Sequence, residues 1–446
     1  MNFANDLPLL AYLARKIRLD RGLSLENLKN ENISVGTISN IENMEGNPSK
    51  SKVLYLFQSL NINEEELEEI KQKELLEIET LRRKLECVED LINDEELEQA
   101  KKLLAQYAPK EHHALYPYFR YLQGLCYFEL REWKKSQKIW EETLVLCKKQ
   151  AFVAKHDLLA KCFNRLSTCW YAQNDLAKAL YYVEEGLKQY KTKKQDEIKY
   201  ALLVNKVLYL RKSDRRKEAV KLIKEVWPLI NQIQSVRVKL ILYKSYCILL
   251  LENQELNEAL YYCKESIDIA HRNISQKGFL LDFLNILGSI YLKRKMYEQA
   301  LEYFSLVFDI SPDKKFSRRH ADTYTYLTSL YTAQNDWVNA QECMKKALSF
   351  GREIKDDYRL SKILMVAGIC NKTQKQYDEA IPLFKEAVTL CKENEYPKRT
   401  CNAVYELAAC YDKIGNRKAF SQWTEEFYRL QRKIGWIMEE EFYVIF

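Results

Sequence analysis

Eight polar side chains at recurring intervals carry the most pointed chemistry in this sequence. They are Lys161, Asn164, Asn205, Lys244, Asp282, Asn285, Asp322 and Thr325. An asparagine offers a donor and an acceptor together, so a file of them can clamp the backbone amides of an extended chain. Lys161 or Lys244 suits a carboxylate, and Asp282 or Asp322 an amine or basic side chain. Each neutral bond is worth only about 0.5–1.5 kcal/mol net, so several must act together. The same residues also suit a merely solvated helix face. Catalytic chemistry is harder to find. Five histidines occur, at 112, 113, 156, 271 and 320. The adjacent pair His112-His113 would point about 100° apart on a helix and makes a poor metal site. The phosphate-binding, zinc-protease and nucleophile-elbow motifs are absent. The reading is of a binding protein, not an enzyme, with no catalytic residue, metal or cofactor.

The elements that position these groups follow from a repeat. A small residue and a bulky one three places on are followed by a polar break, then a helix opening near an alanine. The fullest copy is Gly288-Ser-Ile-Tyr291, Tyr297-Glu-Gln-Ala300, Phe304. The second-helix marker falls at 100, 136, 179, 219, 259, 300, 340, 380 and 420, so the period is close to 40. A coiled coil or a single compact bundle predicts no such period. Helix pairs that cannot bury their apolar faces alone must stack. Asn174-Asp175, Asn253-Gln254, Asn335-Asp336 and Gly415-Asn416 read as helix ends. Scarce glycine (11) and proline (8) in 446 residues suit long helices, and thirty tyrosines suit knobs between them. The segment resembles the tetratricopeptide repeat family in a form longer than its 34-residue unit. The first helices of the pairs are expected to line a concave groove, and the eight polar residues to face it.

Residues 7–60 stand outside the period. Leu9, Leu13 and Ile17 give one amphipathic helix, ended by Arg21-Gly22. Ser24 caps a short second helix over 25–30, and Ser34 a third over 35–43. Asn47-Pro48-Ser49 turns into a further helix over 52–60. The module resembles the phage-repressor (Cro-type) helix-turn-helix family in Ile17-Arg18-x-x-Arg21-Gly22-Leu23-Ser24, in Ser34-x-x-Thr37-Ile38-Ser39-x-Ile41-Glu42 and in Asn47-Pro48-Ser49. That resemblance implies that the third helix enters the major groove. Gly36, Thr37 and Asn40 would then face bases, and Arg18, Ser34 and Lys50 phosphates. The sequence departs from the family at Leu25, where a glutamine is usual, and at Lys29, where a small residue is usual. Its turn is one residue short, and its recognition helix has no arginine. A module kept for packing or dimerisation is the alternative.

The domains expected are a helix-turn-helix over 1–61, a linker helix over 62–80 and about nine helix pairs over 81–446. The fold class is all-α, with a right-handed tetratricopeptide-like solenoid behind the N-terminal module. That order resembles the peptide-pheromone-responsive, quorum-sensing regulators of Gram-positive bacteria. The resemblance implies a transcriptional regulator whose DNA binding changes when a short signalling peptide lies in the groove. Partners so implied are double-stranded DNA, the peptide and a second copy of the chain. Some members of the family instead bind a phosphorelay response regulator, which leaves an adaptor as the other reading.

A formal charge of +7, from 70 basic and 63 acidic residues, permits a local nucleic-acid footprint without demanding one. Twelve scattered cysteines read as reduced, buried thiols of a cytoplasmic protein. No secretory leader and no membrane span are expected. The apolar end, Trp436-Ile-Met and Phe442–Phe446, is expected to cap the last repeat or to dock on a second subunit.

Overall fold

The period is written into the backbone as a series of left-handed turn residues. Positive φ recurs at Arg131, Asn174, Gln254, Lys295, Asn335, Lys375 and Gly415, between 59° and 72°. At most of them the next residue sends its N–H back five places. Met296 donates to the Tyr291 carbonyl, Asp336 to Tyr331 and Asn416 to Tyr411, at 2.9–3.0 Å. This is the Schellman closure, which satisfies carbonyls that a helix end leaves orphaned.

The computed structural model describes residues 3–434, except 47, 94–95, 150–151, 153–156, 191–196, 214, 274–275, 313–316 and 355. The apolar segment 436–446 and His156 lie outside the described residues. The N-terminal module holds α1 (Phe3–Asp20), α2 (Val35–Asn43) and α3 (Lys50–Ser59). Nine pairs follow. They are α4 (Glu64–Asn93) with α5 (Leu97–Gln106), α6 (Tyr116–Glu129) with α7 (Trp133–Lys149), and α8 (Leu158–Ala172) with α9 (Leu176–Gln189). Next come α10 (Glu197–Lys212) with α11 (Arg216–Val226), α12 (Val236–Glu252) with α13 (Leu256–His271), and α14 (Lys277–Lys293) with α15 (Tyr297–Ile310). The last are α16 (Ser317–Ala333) with α17 (Trp337–Ile354), α18 (Asp357–Thr373) with α19 (Tyr377–Glu393), and α20 (Pro397–Lys413) with α21 (Arg417–Ile434). The described residues form an all-α, tetratricopeptide-like solenoid. A single helix runs through 64–93, so linker and first repeat are one element, with no break at residue 80.

Two compact units divide the chain. One is Met1–Gln173 with Ala177–Leu202, the other Asn174–Leu176 with Leu203–Phe446. Within the second, α12, α14, α16 and α18 each pack on their own partner and on the next first helix, as α14 does on α15 and α16. The first helices α12, α14, α16, α18 and α20 thereby form one continuous layer.

The small-residue positions explain how pairs close. A Cβ on Gly288 would come within 2.5 Å of the Phe304 ring, and one on Gly368 within 2.5 Å of the Phe384 ring. Both rings are fully buried. Eight of the nine second-helix markers, Ala100 to Ala380, are wholly buried, but Phe420 is 37% exposed. The register slips there: Ala419, one place earlier, packs on the final core cluster. No helix among the described residues follows α21 to cover the ring.

Candidate functional site

In the N-terminal module, Ser34 caps α2: its Oγ accepts the Thr37 N–H at 3.2 Å and pairs with the Thr37 hydroxyl at 2.9 Å. Ile38 and Ile41 face the core, which leaves Gly36 and Asn40 exposed and Thr37 half-buried. Lys50, at the start of α3, is exposed. Arg18 is placed differently. Its Nε and Nη2 donate to the two Glu42 oxygens at 2.7 and 2.6 Å, and Nη1 to the Leu23 carbonyl at 2.9 Å. Glu42 holds this guanidinium protonated more firmly than usual against the opposing effect of burial. Arg18 therefore ties α1 to α2 and is only 9% exposed.

The helix expected over 25–30 is a single 3-10 turn, Glu26–Leu28. The Asn27 side chain accepts the Ser24 N–H at 2.7 Å, and Ser24 Oγ accepts the Asn27 N–H at 3.3 Å. Such side-chain bonds compete with helix propagation. Lys29 is then extended, and Asn30 pairs with Ile33 in an isolated bridge. The module is fastened to the first helix pair. Tyr12 donates to Glu74 at 2.7 Å and accepts the Ala114 N–H at 3.2 Å, and Lys71 meets Asp6 at 2.7 Å.

In the first unit, Lys161 reaches Glu89 at 3.3 Å and Asp157 at 3.9 Å. Burial alone would lower its affinity for a proton, but Glu89 outweighs it and the ammonium is held charged. Asn164 is half-buried on the same helix, one turn on.

In the second unit the structure brings together Lys244, Asp282, Asn285, Asp322 and Thr325 on consecutive first helices, with Asn205 half-buried on α10. Asp282 receives Lys244 at 2.8 Å and Arg319 at 3.1 Å. Burial pushes its carboxyl upward, yet the two cations win and hold it at about 2. A Cβ on Gly278 would meet the Arg319 guanidinium at 3.0 Å, so glycine leaves room for that reach. Asp322 takes both guanidinium arms of Arg359 at 3.0 Å. Asn285 and Thr325 are sunk between helices, 3% and 1% exposed. Asn285 bonds the Arg319 carbonyl at 3.3 Å and the Thr323 hydroxyl at 2.9 Å, while Thr325 donates back to Ala321 at 2.6 Å. The polarity of Asn285 is used in holding α14 to α16, and that of Thr325 is spent within its own helix.

Sequence reading missed the arginines of this layer. Arg319, Arg359 and Arg399 are 40 residues apart, the repeat period itself. A search for charge at that period would have found them. Lys212 and Asp356 also belong here: Lys212 lies 3.9 Å over the Tyr358 ring, and burial lowers its ammonium to about 8. Among the described residues no group of three or more His, Cys, Asp or Glu could hold a metal ion.

Helix pairs of 40 residues with Schellman closures and a charged first-helix layer define a tetratricopeptide-type repeat protein. A family model described as tetratricopeptide repeat matches residues 319–393. Response regulator aspartate phosphatase A of Bacillus subtilis (strain 168) is 26% identical over 160 residues, 33% of this chain and 40% of that protein. The chain thus matches less than half the length of this curated relative. A Rap protein complexed with competence and sporulation factor shares the fold, with a TM-score of 0.61 at 15% identity over 80% of this chain and 99% of that one. The apo form of the quorum sensor NprR from B. thuringiensis gives 0.57 at 14% identity, over 79% and 99%. The apo form of RapI gives 0.51 at 15% identity, over 80% and 98%. The chain's structural neighbours thus include a quorum sensor and two Rap proteins, and the likeness is one of fold.

Proposed function

We propose that this chain is a peptide-responsive regulator: a short signalling peptide binds the first-helix layer of the repeats and changes DNA binding by the N-terminal module. One observation carries the reading. Charged side chains recur along consecutive first helices, in a fold shared with a quorum sensor and with a Rap protein solved with its signalling factor. Lys161, Asn164, Asn205, Lys244, Asp282 and Asp322 are the candidate peptide contacts, with Asn285 and Thr325 supporting them from beneath. In the module, Gly36, Thr37 and Asn40 are the candidate base contacts, with Ser34 and Lys50 toward phosphate. Arg18 acts through Glu42 by holding α2 in place. A homodimer reading two half-sites completes the proposal.

The test is a genome-wide pull-down of DNA fragments by the full chain, with and without small peptides from the host culture supernatant. Discrete sites should be enriched, and the peptide fraction should alter that enrichment. Thr37→Ala with Asn40→Ala should weaken specific binding about tenfold or more, because a good base contact is worth about 1–3 kcal/mol. Unchanged operator affinity in a folded double variant would remove α2 from the reading.

A second reading, in which the module binds a phosphorelay response regulator, is favoured by the 3-10 turn that replaces a full helix in front of α2. Recovery of a response regulator from lysate with no DNA enriched would decide for it.

A further inference from the structure

The longest helix among the described residues, α4, has two faces of opposite character. One holds Leu67, Lys71, Glu74, Ile78, Leu85 and Val88, all buried. It packs on the N-terminal module through Lys71 and Glu74 and on α5 and α6 beyond them. Leu67 and Leu85 have no exposed surface, and each stands nine places from Leu76. Nine residues turn a helix by about 180°, so Leu76 points directly away from the core. It is 68% exposed, more than any other leucine among the described residues. Glu69, Gln72, Lys73, Thr80 and Arg83 surround it on the same face, all of them exposed, and Glu79 is half-buried at the edge.

The charges on this face are symmetric about Leu76 in position and opposite in sign. Glu69 and Arg83 stand seven places to either side, and Lys73 and Glu79 stand three. Turned end over end about Leu76, the face meets itself with Glu69 against Arg83 and Lys73 against Glu79, each pair occurring twice. Gln72 then meets Thr80, an amide against a hydroxyl, and Leu76 meets its own copy on the axis. Laid parallel and in register, the same face would set every charge against its like. Arg83 already meets Glu79 of its own helix at 3.0 Å, and a guanidinium has donors for a second carboxylate.

We propose that α4 pairs with α4 of a second copy of this chain, antiparallel about a two-fold axis at Leu76. The inference rests on the homodimer in the reading above and names the face that makes it. In such an isologous contact residue i meets j and j meets i, which is the pattern these four charges follow. Exposed ion pairs add little affinity but fix orientation, and they exclude the parallel arrangement. A contact of one helix with one helix is smaller than the about 1,200 Å² at which specific, stable interfaces begin, so the pair is weak, dissociating in the micromolar range.

The experiment is sedimentation equilibrium of the full chain in low-salt buffer, at concentrations up to about 100 µM. Wild type should form a dimer and nothing larger. Glu69→Arg sets arginine against arginine across the axis, and Arg83→Glu sets glutamate against glutamate. Each variant alone should dimerise about tenfold more weakly than wild type, because two exposed attractions become two repulsions. An equimolar mixture of the two variants should dimerise about as well as wild type, since each chain supplies the sign that the other lacks. A role of these charges within one chain cannot give that recovery. The changed positions are exposed, so both variants should melt close to wild type. Leu76→Asp places two carboxylates on the axis and should leave a monomer. Single variants that dimerise as well as wild type, or a mixture no better than its components, overturn the α4 face and leave a homodimer built on another surface. A wild type that stays monomeric overturns both the face and the homodimer.

Discussion

Asp282 shows what a single side chain does in the first-helix layer. It is 8% exposed and held by Lys244 from one helix and Arg319 from another, so it joins α12, α14 and α16. Removing one partner of a buried ionic group strands the others, which costs about 3–5 kcal/mol. Asp282→Ala should therefore lower the unfolding free energy read from urea denaturation by an amount in that range, reduced by the partial exposure of Lys244. The pH dependence has a definite sign. The folded carboxyl titrates at about 2, below the about 3.9 of an unfolded aspartate. Its contribution is complete above pH ~4 and is lost as pH falls toward 2. Chemical denaturation at pH 5 and pH 2.5 should show a gap in stability that Asp282→Asn narrows. An unchanged gap would show that other carboxylates carry it.

Helices are delimited here by backbone rules and joined by shape. The Schellman closures at Lys295, Asn335 and Lys375 place each second helix at a fixed angle of entry. The glycine of the first helix then admits the phenylalanine of the second. A larger side chain at Gly368 would have to occupy space already held by Phe384, a ring with no exposed surface. Overpacking of this kind costs about 1–3 kcal/mol. Gly368→Val should lower the melting temperature markedly, and Gly368→Val with Phe384→Leu should recover part of the loss. Failure of the second change to rescue would mean that the strain lies in the backbone.

At the scale of the molecule, the described residues include no helix long and apolar enough to cross a membrane. All twelve cysteines are free thiols. Cys87 is exposed and Cys343 half-buried, while the other ten are buried. Burial pushes most of these thiols up, Cys147 to about 12 and Cys126 to about 11, and the thiolate is the reactive form. An aromatic disulfide reagent at pH 8 should thus modify Cys87 quickly, Cys343 slowly and the rest only after unfolding, when twelve thiols should be counted. Fewer than twelve in denaturant without reductant would reveal a disulfide.

The period of 40 was legible because it rests on local chemistry. Small and bulky residues at fixed offsets, and asparagine or glycine at positive φ, leave marks on any chain that must stack helix pairs. The cap at Ser34 was legible for the same reason. Polarity at Asp282, Asn285 and Thr325 was visible too, but its use was not. A helical residue's neighbours three and four places away are set by the chain, whereas those 37 places away depend on how helices are laid side by side. Only the packed layer decided that Asn285 and Thr325 lie beneath the surface, that Arg18 is spent on Glu42, and that residues 25–30 make one 3-10 turn.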